Sequence, residues 1–403
     1  MLKKKTPLIL HQVSNFASGL GNSILMITIP WLILQETRSP AFAGLVAAIS
    51  AIPGLIISPI GGWLVDHVGR RAVSVCADLL SSLAVFAFPI VALTYGLSSF
   101  SILLIAVVGA IFDPAGYTAR KTLLTDVAKA SEIELDRLNG IHDGFMGISW
   151  ILGPAVGAGL ISTVGAINSF WVAGGLFIFA AITIAFLRVG NLGKEARDWA
   201  EKMGEKSDRS LRVGFQVLWR DKLLRTLTIA ILVIAAVYLP TETLVLPAYF
   251  EEQNNPAGLG IVISALAAGS TIGSFGYGWI SARMSRKNLV RATLIGTAVS
   301  IVPMALLPPL PLFLLAAFLL GLSWGPFNPL ETSLIQQRVP ADQQGRVFGV
   351  QTAVFYTAPP LGMVLAGLSV ESYGVSTTYI VLAAILTVTA IFALLTKSLR
   401  SDF

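Results

Sequence analysis

The sequence predicts an all-α integral membrane protein of twelve transmembrane helices in two pseudo-symmetric six-helix halves. Three observations lead there. Of 403 residues, 55% are hydrophobic and only 12% charged, and the mean hydropathy is +0.76, outside the range of soluble globular domains. Apolar runs of about 20 residues, each long enough to cross ~30 Å of hydrocarbon as a helix, recur from end to end. Third, the charged turn Gly62-Trp63-Leu64-Val65-Asp66-His67-Val68-Gly69-Arg70-Arg71 returns without a gap as Gly278-Trp279-Ile280-Ser281-Ala282-Arg283-Met284-Ser285-Arg286-Lys287. The same offset of 216 residues pairs Pro40-Ala41 with Pro256-Ala257, Gly44 with Gly260 and Ser58 with Ser274. A repeat of about half the chain means two copies of one membrane unit.

Taken in order, the spans fall at 7–34, 41–65, 72–96, 100–124, 138–162, 167–188, 224–250, 257–281, 289–308, 311–334, 346–370 and 376–396. With the N-terminus inside, Arg38 alone of the 28 Lys and Arg residues faces out, and the other 27 sit at the termini or in alternate connections. Positive loops are retained in the cytoplasm, so this bias sets the span number and places both termini there, in a multi-pass protein of the inner (cytoplasmic) membrane. The halves are 1–188 and 224–403, joined by a cytoplasmic linker, 189–223. Within the linker Leu211, Val213, Phe215, Val217, Leu218 and Trp219 alternate with Arg209, Arg212, Arg220 and Lys222, the pattern of an amphipathic helix on the inner leaflet. A charged, solvated linker with a single helical turn is the alternative.

Prolines recur inside the spans, several in repeat-related pairs such as Pro30 with Pro247 and Pro114 with Pro329. Each removes a backbone donor and kinks or loosens its helix. Paired kinks suit helices bent around a shared cavity. Lys3-Lys4-Lys5 precedes an apolar run too long for a signal-peptide core. Cys76 is the only cysteine, which leaves no intrachain disulfide.

Ionisable groups inside a membrane are costly and so mark function. Asp113, mid-span 4 beside Pro114, and Glu242, in the outer part of span 7 between Thr241 and Thr243, have no basic residue at their depth. A carboxyl left unpaired there can exchange a proton with either side, so both are candidate carriers of a coupled proton. Asp78, Asp143 and Glu331 lie nearer the inner ends, where ion pairs with Arg70, Arg71, Arg120 or Arg338 are expected. No Lys or Arg sits mid-span, which disfavours a strongly anionic substrate. Enzyme motifs are missing: His11, His67 and His142 are far apart in the chain, without HExxH or paired-Cys context, and no GxxxxGK[ST] loop exists for ATP. Neither a cofactor nor a metal is expected, and no nucleic acid. The expected partners are the lipid bilayer, a small-molecule substrate and protons, with the protein a monomer.

In the repeated turn, Gly62 and Gly69 permit close helix approach and a tight bend, and Asp66 can accept from N–H groups at a neighbouring helix N-terminus. Gly62, Asp66, Gly69, Arg70 and Arg71 match the loop signature between spans 2 and 3 of the major facilitator superfamily of secondary transporters, which the chain resembles over essentially its whole length. The resemblance implies that family's fold and alternating access. It makes the neighbour of Asp66 span 11, beginning near Gly345-Arg346, so that Asp66 joins the halves at the cytoplasmic side. The second repeat reads Ala282 there, so one half alone carries this lock.

Span 5 resembles the signature of drug-proton antiporters of this family, with Gly140 and then Gly153-Pro154-Ala155-Val156-Gly157-Ala158, departing at Ser149 and Ala158 where glycine is usual. Phe112-Asp113-Pro114-Ala115, Leu138-Asn139-Gly140 and Gly345-Arg346-Val347-Phe348-Gly349 resemble the branch holding macrolide-type drug exporters and the enterobactin exporter. Many of that branch carry an acid in span 1 where this chain reads Gly19-Leu20-Gly21-Asn22, and Asn22 cannot carry a proton. At spans that line the cavity of related folds stand Asn22, Phe16, Trp31, Phe112, Tyr117, Met146, Trp150, Tyr238, Trp324 and Tyr356, candidates for an adaptable apolar wall. The resemblance implies efflux of hydrophobic or amphipathic, drug-like molecules by proton antiport. Export of a siderophore, a lipid or an endogenous metabolite is the alternative on the same scaffold. A non-transporting membrane sensor or assembly protein is the alternative from another class.

Overall fold

The computed structural model describes residues 2–189, 211–339 and 341–396, apart from the side chains of 2–4, 55–63, 66, 67, 211–214, 341–343, 345, 346, 348, 349 and 352–356. Among the described residues every regular element is helical. Two compact units form, residues 1–38 with 49–207 and residues 39–48 with 208–403.

Unit 1 holds α1 (Leu2–Thr37), most of α2 (Pro40–Val68), α3 (Arg70–Thr94), α4 (Ser99–Ser131), α5 (Leu135–Val164) and α6 (Ala166–Ala185). Unit 2 holds the short α7 (Leu211–Arg220), then α8 (Lys222–Pro240), a π-helical turn (Thr241–Val245), α9 (Leu246–Glu252), α10 (Pro256–Ser281), α11 (Arg286–Ala305), α12 (Leu310–Trp324), α13 (Phe327–Arg338) and α14 (Ala341–Leu395). α8 through α9 is one span, and so is α12 with α13. α14 is two helices meeting at Gly374 (φ 80°, ψ 166°). Among the described residues ten stretches are long and apolar enough to cross a membrane, the last of them both arms of α14, and α2 adds the apolar Pro40–Gly54. The fold therefore has the twelve transmembrane helices expected.

The burial pattern is that of a membrane protein. α3 buries Ser74, Asp78, Ser81 and Ser82 and exposes Leu79, Leu80, Leu83 and Ile90, because lipid solvates leucine while polar groups need partners inside the bundle. The tightest bends fall on glycines at positive φ: Gly69 (φ 103°) between α2 and α3, Gly165 (φ 85°) between α5 and α6, and Gly374 between the arms of α14, conformations that a Cβ would strain. Each half thus joins its fifth and sixth spans through one such residue.

Close backbone approach holds each unit together. In unit 1, a Cβ built on Gly153 of α5 would lie 2.1 Å from the Ser23 Cβ of α1, and one on Gly157 lies 3.3 Å from the Ile24 carbonyl oxygen. The Gly-Pro signature is therefore the face on which α1 rests, whereas Gly140 has open space around it. In unit 2, Cβ atoms on Gly269 and Gly273 of α10 would strike the Phe318 and Leu322 carbonyls of α12, and one on Gly321 would strike the Leu266 carbonyl of α10. Small residues let these helices meet backbone to backbone, where dispersion replaces the missing hydrophobic drive. A smaller contact ties the start of α2 to α14 within unit 2: Glu371 accepts from Ser39 Oγ at 2.5 Å and from the Ala41 N–H at 3.0 Å.

Gly153→Val is expected to force α1 and α5 apart and to cost about 1–3 kcal/mol of stability. Gly140→Ala is expected to leave stability unchanged. Thermal unfolding of the purified variants in detergent checks this, and equal melting temperatures would contradict it.

Candidate functional site

Unit 1 carries a column of polar side chains through its interior. Asn22 Nδ2 donates to Asp113 Oδ1 at 2.8 Å, so the carboxyl expected to be unpaired is hydrogen-bonded, and the partner is the asparagine that stands in the place of an acid. An uncharged amide leaves no charge pattern in the sequence to announce this pair. One turn back along α1, Ser18 Oγ donates to Asp78 Oδ1 at 2.9 Å, and Arg120 Nη1, from α4, donates to the same oxygen at 2.8 Å. Their side chains are 6% (Arg120) and 2% (Asp78) exposed. Such a pair needs nearly ideal geometry to offset its desolvation, yet among the described residues Asp78 Oδ2 is buried with no partner, as are Asn15 Nδ2 and Gln12 Oε1 of α1 and Ser74 Oγ of α3.

Further along the column, His11 Nε2 donates to the Arg120 carbonyl at 3.0 Å and Gln12 Nε2 donates to His11 Nδ1 at 3.4 Å, which assigns the neutral Nε2–H tautomer. The ring of His142 stands 5.6 Å from that of His11. Two of the three histidines, distant in sequence, are thus neighbours in the fold, with no third metal-ligating side chain beside them among the described residues. At the same end of the unit Arg70 binds Asp126 and Thr125 at 2.8 and 2.7 Å, Arg71 donates to the Leu187 carbonyl at 2.8 Å, and Lys121 pairs with Asp143 at 2.9 Å. The ion pairs expected of Asp78 and Asp143 exist, the second with a lysine in place of an arginine.

Unit 2 is organised by two interrupted spans. Pro247 has no N–H for the Thr243 carbonyl and crowds it, and the strain is taken up by a π turn in which the Leu246 N–H reaches the Thr241 carbonyl. Glu242 lies in that turn, half-buried, with no hydrogen bond or ion pair among the described residues. The second interruption, Gly325-Pro326, separates α12 from α13 and is held by Ser274 Oγ donating to the Gly325 carbonyl at 2.7 Å. Aromatic rings join the two breaks: Tyr238 stacks on Trp324, and Trp324 on Phe327, each at 5.3 Å and 18°. Below the stack opens a cavity of about 430 Å³ lined by α8, α10, α12, α13 and Gln351 of α14. Glu331 projects into it and accepts from Gln351 Nε2.

The arginine expected beside Glu331 is elsewhere. Arg338 Nε donates to Asp221 Oδ2 at 2.8 Å, while Asp221 Oδ1 caps α8 by accepting from the Leu223 and Leu224 N–H groups at 2.9 and 3.0 Å. Partial burial of Asp221 opposes the charged form, but these donors prevail and hold its carboxyl below the usual carboxylate range.

Of the expected cavity wall, Tyr238 and Trp324 stack as described, Phe16 lies edge-on to Phe145 at 6.2 Å, and Met146 packs beside Gly19. Trp150 is 38% exposed, and Trp31, at 3%, belongs to the core of unit 1 rather than to an open wall. Phe112 is half-buried. The side chains of Gly62, Asp66, Arg346 and Tyr356 lie outside the described residues. Sequence reasoning missed Gln351 and the stacking role of Phe327, since pairing of Glu331 with an amide leaves no charge pattern to read.

Arg120→Ala, by leaving Asp78 buried without its counter-charge, is expected to cost about 3–5 kcal/mol, most of which Asp78→Asn in the same chain restores. Thermal unfolding of the single and double variants checks this, and additive losses would contradict it.

The comparisons agree with this architecture. The chain matches the model of the Major Facilitator Superfamily over residues 13–254 and 242–401. It is 35% identical over 400 residues to the multidrug efflux pump Tap of Mycolicibacterium fortuitum, covering 98% of this chain and 97% of that one. It is 26% identical over 366 residues to macrolide efflux protein A of Streptococcus pyogenes, covering 89% and 88%. Among solved structures, nucleoside transporter NupG superposes with a TM-score of 0.75 at 14% identity over the full length of both chains. A D-xylose-proton symporter gives 0.74 at 11% identity over 96% of each. At such identities the likeness speaks for the fold alone. From its helices, its repeat and these matches, the chain is a member of the Major Facilitator Superfamily.

Proposed function

We propose that this chain exports hydrophobic or amphipathic, drug-like molecules across the cell membrane by alternating access, driven by protons moving the other way. Similarity to efflux pumps over nearly the whole length supports export. The observation that carries proton coupling is Glu242: a half-buried carboxyl in a π turn of a membrane span, with no ion pair or hydrogen bond among the described residues. Bulges of this kind are frequent at functional sites, and an uncompensated carboxyl there exchanges its proton when access switches sides. Asp113 is the second carrier, and Asn22 then acts as its hydrogen-bond partner and not as a carrier.

The protein works as a monomer of two halves, 1–188 and 224–403, with the linker and both termini in the cytoplasm, as the placement of 27 of 28 basic residues supports. Asp66, with Gly62, Gly69, Arg70, Arg71 and Arg346, stabilises the inward-closed state. Arg70 and Arg71 support this by fastening the loop to the ends of α4 and α6. Gly153 and Gly157 of span 5 keep α1 and α5 in close register through the cycle.

Glu242→Gln and Asp113→Asn are each expected to lower drug uptake driven by a pH gradient into everted vesicles at least about tenfold, the scale of losing a proton-transfer group. Exchange of drug without a gradient persists in these variants. If both retain full gradient-driven transport, the assignment of the carriers is wrong.

A further inference from the structure

The short helix α7 and the start of α8 form a corner that is aromatic, cationic and uncovered among the described residues. Leu218, 3% exposed, seats α7 on the bundle, where it packs against α14 and α8. Phe215 and Trp219 stack at 5.2 Å and 17°, yet each remains 50% exposed. Two adjoining rings left half open make an apolar patch that water does not favour. At the edge of a bilayer the same rings sit comfortably at headgroup level.

Cations surround this patch. The guanidinium carbon of Arg225 lies 5.8 Å from the Trp219 ring centroid, and Arg225 Nη1 donates to the Trp219 carbonyl at 3.2 Å. That single hydrogen bond leaves the other N–H groups of the guanidinium without an acceptor among the described residues. Arg220 and Lys222 are exposed close by in the chain. Asp221, the acid between them, is already engaged: it accepts from Arg338 and from the first N–H groups of α8. Asp221 and Arg338 offset one another, so Arg220, Lys222 and Arg225 leave a local surplus of positive charge.

The corner also has the polarity profile of an amphiphile. One turn further into the span, on the same face of α8 as Arg225, Ile229 is 45% exposed. An apolar track therefore starts next to the free side of a guanidinium. The carbonyl bond and the neighbouring ring hold that guanidinium in place before any ligand arrives, which lowers the ordering cost of binding. Its planar fork matches the oxygens of a phosphate.

We propose that this corner binds an anionic phospholipid of the inner leaflet. The Arg225 guanidinium takes the phosphodiester, Arg220 and Lys222 add charge attraction, and the rims of Phe215 and Trp219 rest against the glycerol and upper acyl region. An acyl chain follows Ile229. The phosphate meets the guanidinium and not a ring face, so the aromatic stack stays intact. From the reading above the inference takes only the cytoplasmic side of the linker, and it depends on neither the cargo nor the coupled proton.

The test uses the full-length protein in vesicles containing brominated phosphatidylglycerol or, at equal mole fraction, brominated phosphatidylcholine with the same chains, and reads tryptophan emission. The quenching that Trp219→Phe removes reports this corner alone. The wild type is expected to be quenched more strongly there by the anionic lipid. Arg225→Gln is expected to lower the ratio of anionic to zwitterionic quenching about fivefold, the scale of one basic residue at a charged surface. High salt is expected to lower the wild-type ratio, since it screens the same attraction. If Arg225→Gln fails to fold, the double variant Arg220→Gln, Lys222→Gln, which alters exposed side chains only, is expected to lower the ratio in the same direction. Equal quenching of the wild type by both lipids, quenching by neither, or a ratio unchanged in the variants overturns the inference.

Discussion

The structure depends on one constraint: hydrocarbon offers no hydrogen bonds, so each polar group inside a span must find its partner within the bundle or be there for a reason. Among the described residues backbone groups meet the constraint by forming helices. Side chains meet it by turning inward, as on α3, where serines and an aspartate are buried and leucines face out. Helices then associate through glycine contacts and through buried pairs such as Asp78 with Arg120. Glu242 stands apart as a carboxyl with no hydrogen bond or ion pair among the described residues.

The two units close their accounts differently. Unit 1 keeps its charges in pairs and chains, with Asn22, Asp113, Ser18, Asp78, Arg120 and His11 linked along one interior column. Unit 2 interrupts two of its spans and spends the freed geometry on an aromatic stack and a cavity. Proline marks both breaks by withholding a donor, Pro247 in the first and Pro326, after the C-cap Gly325, in the second.

Span number, repeat and inward-facing acids were legible in the sequence because each follows from hydropathy, spacing or residue type. The close contacts of Gly153 and Gly157 were legible as a signature, although Gly140, part of the same signature, touches nothing. Partnerships were legible only where charge announced them: Asp78 with Arg120 was expected, while Asn22 with Asp113 and Gln351 with Glu331 were not, since amides leave no trace in a charge pattern. Long-range pairing defeated the reading of the histidines, for 131 positions separate His11 from His142 and only the packing of α1 against α5 brings them together. Pro247 announced a loosened helix near Glu242, though not that the backbone would take it up as a π turn.

The proposed roles of Glu242 and Asp113 depend on export being coupled to protons moving in the opposite direction. That coupling is tested most directly by following the internal pH of proteoliposomes that contain the wild-type protein while a lipophilic drug is added under an imposed pH gradient. Proton movement is expected to begin with the drug, run opposite to it and saturate as the drug does. Drug transport with no accompanying proton movement would contradict that coupling.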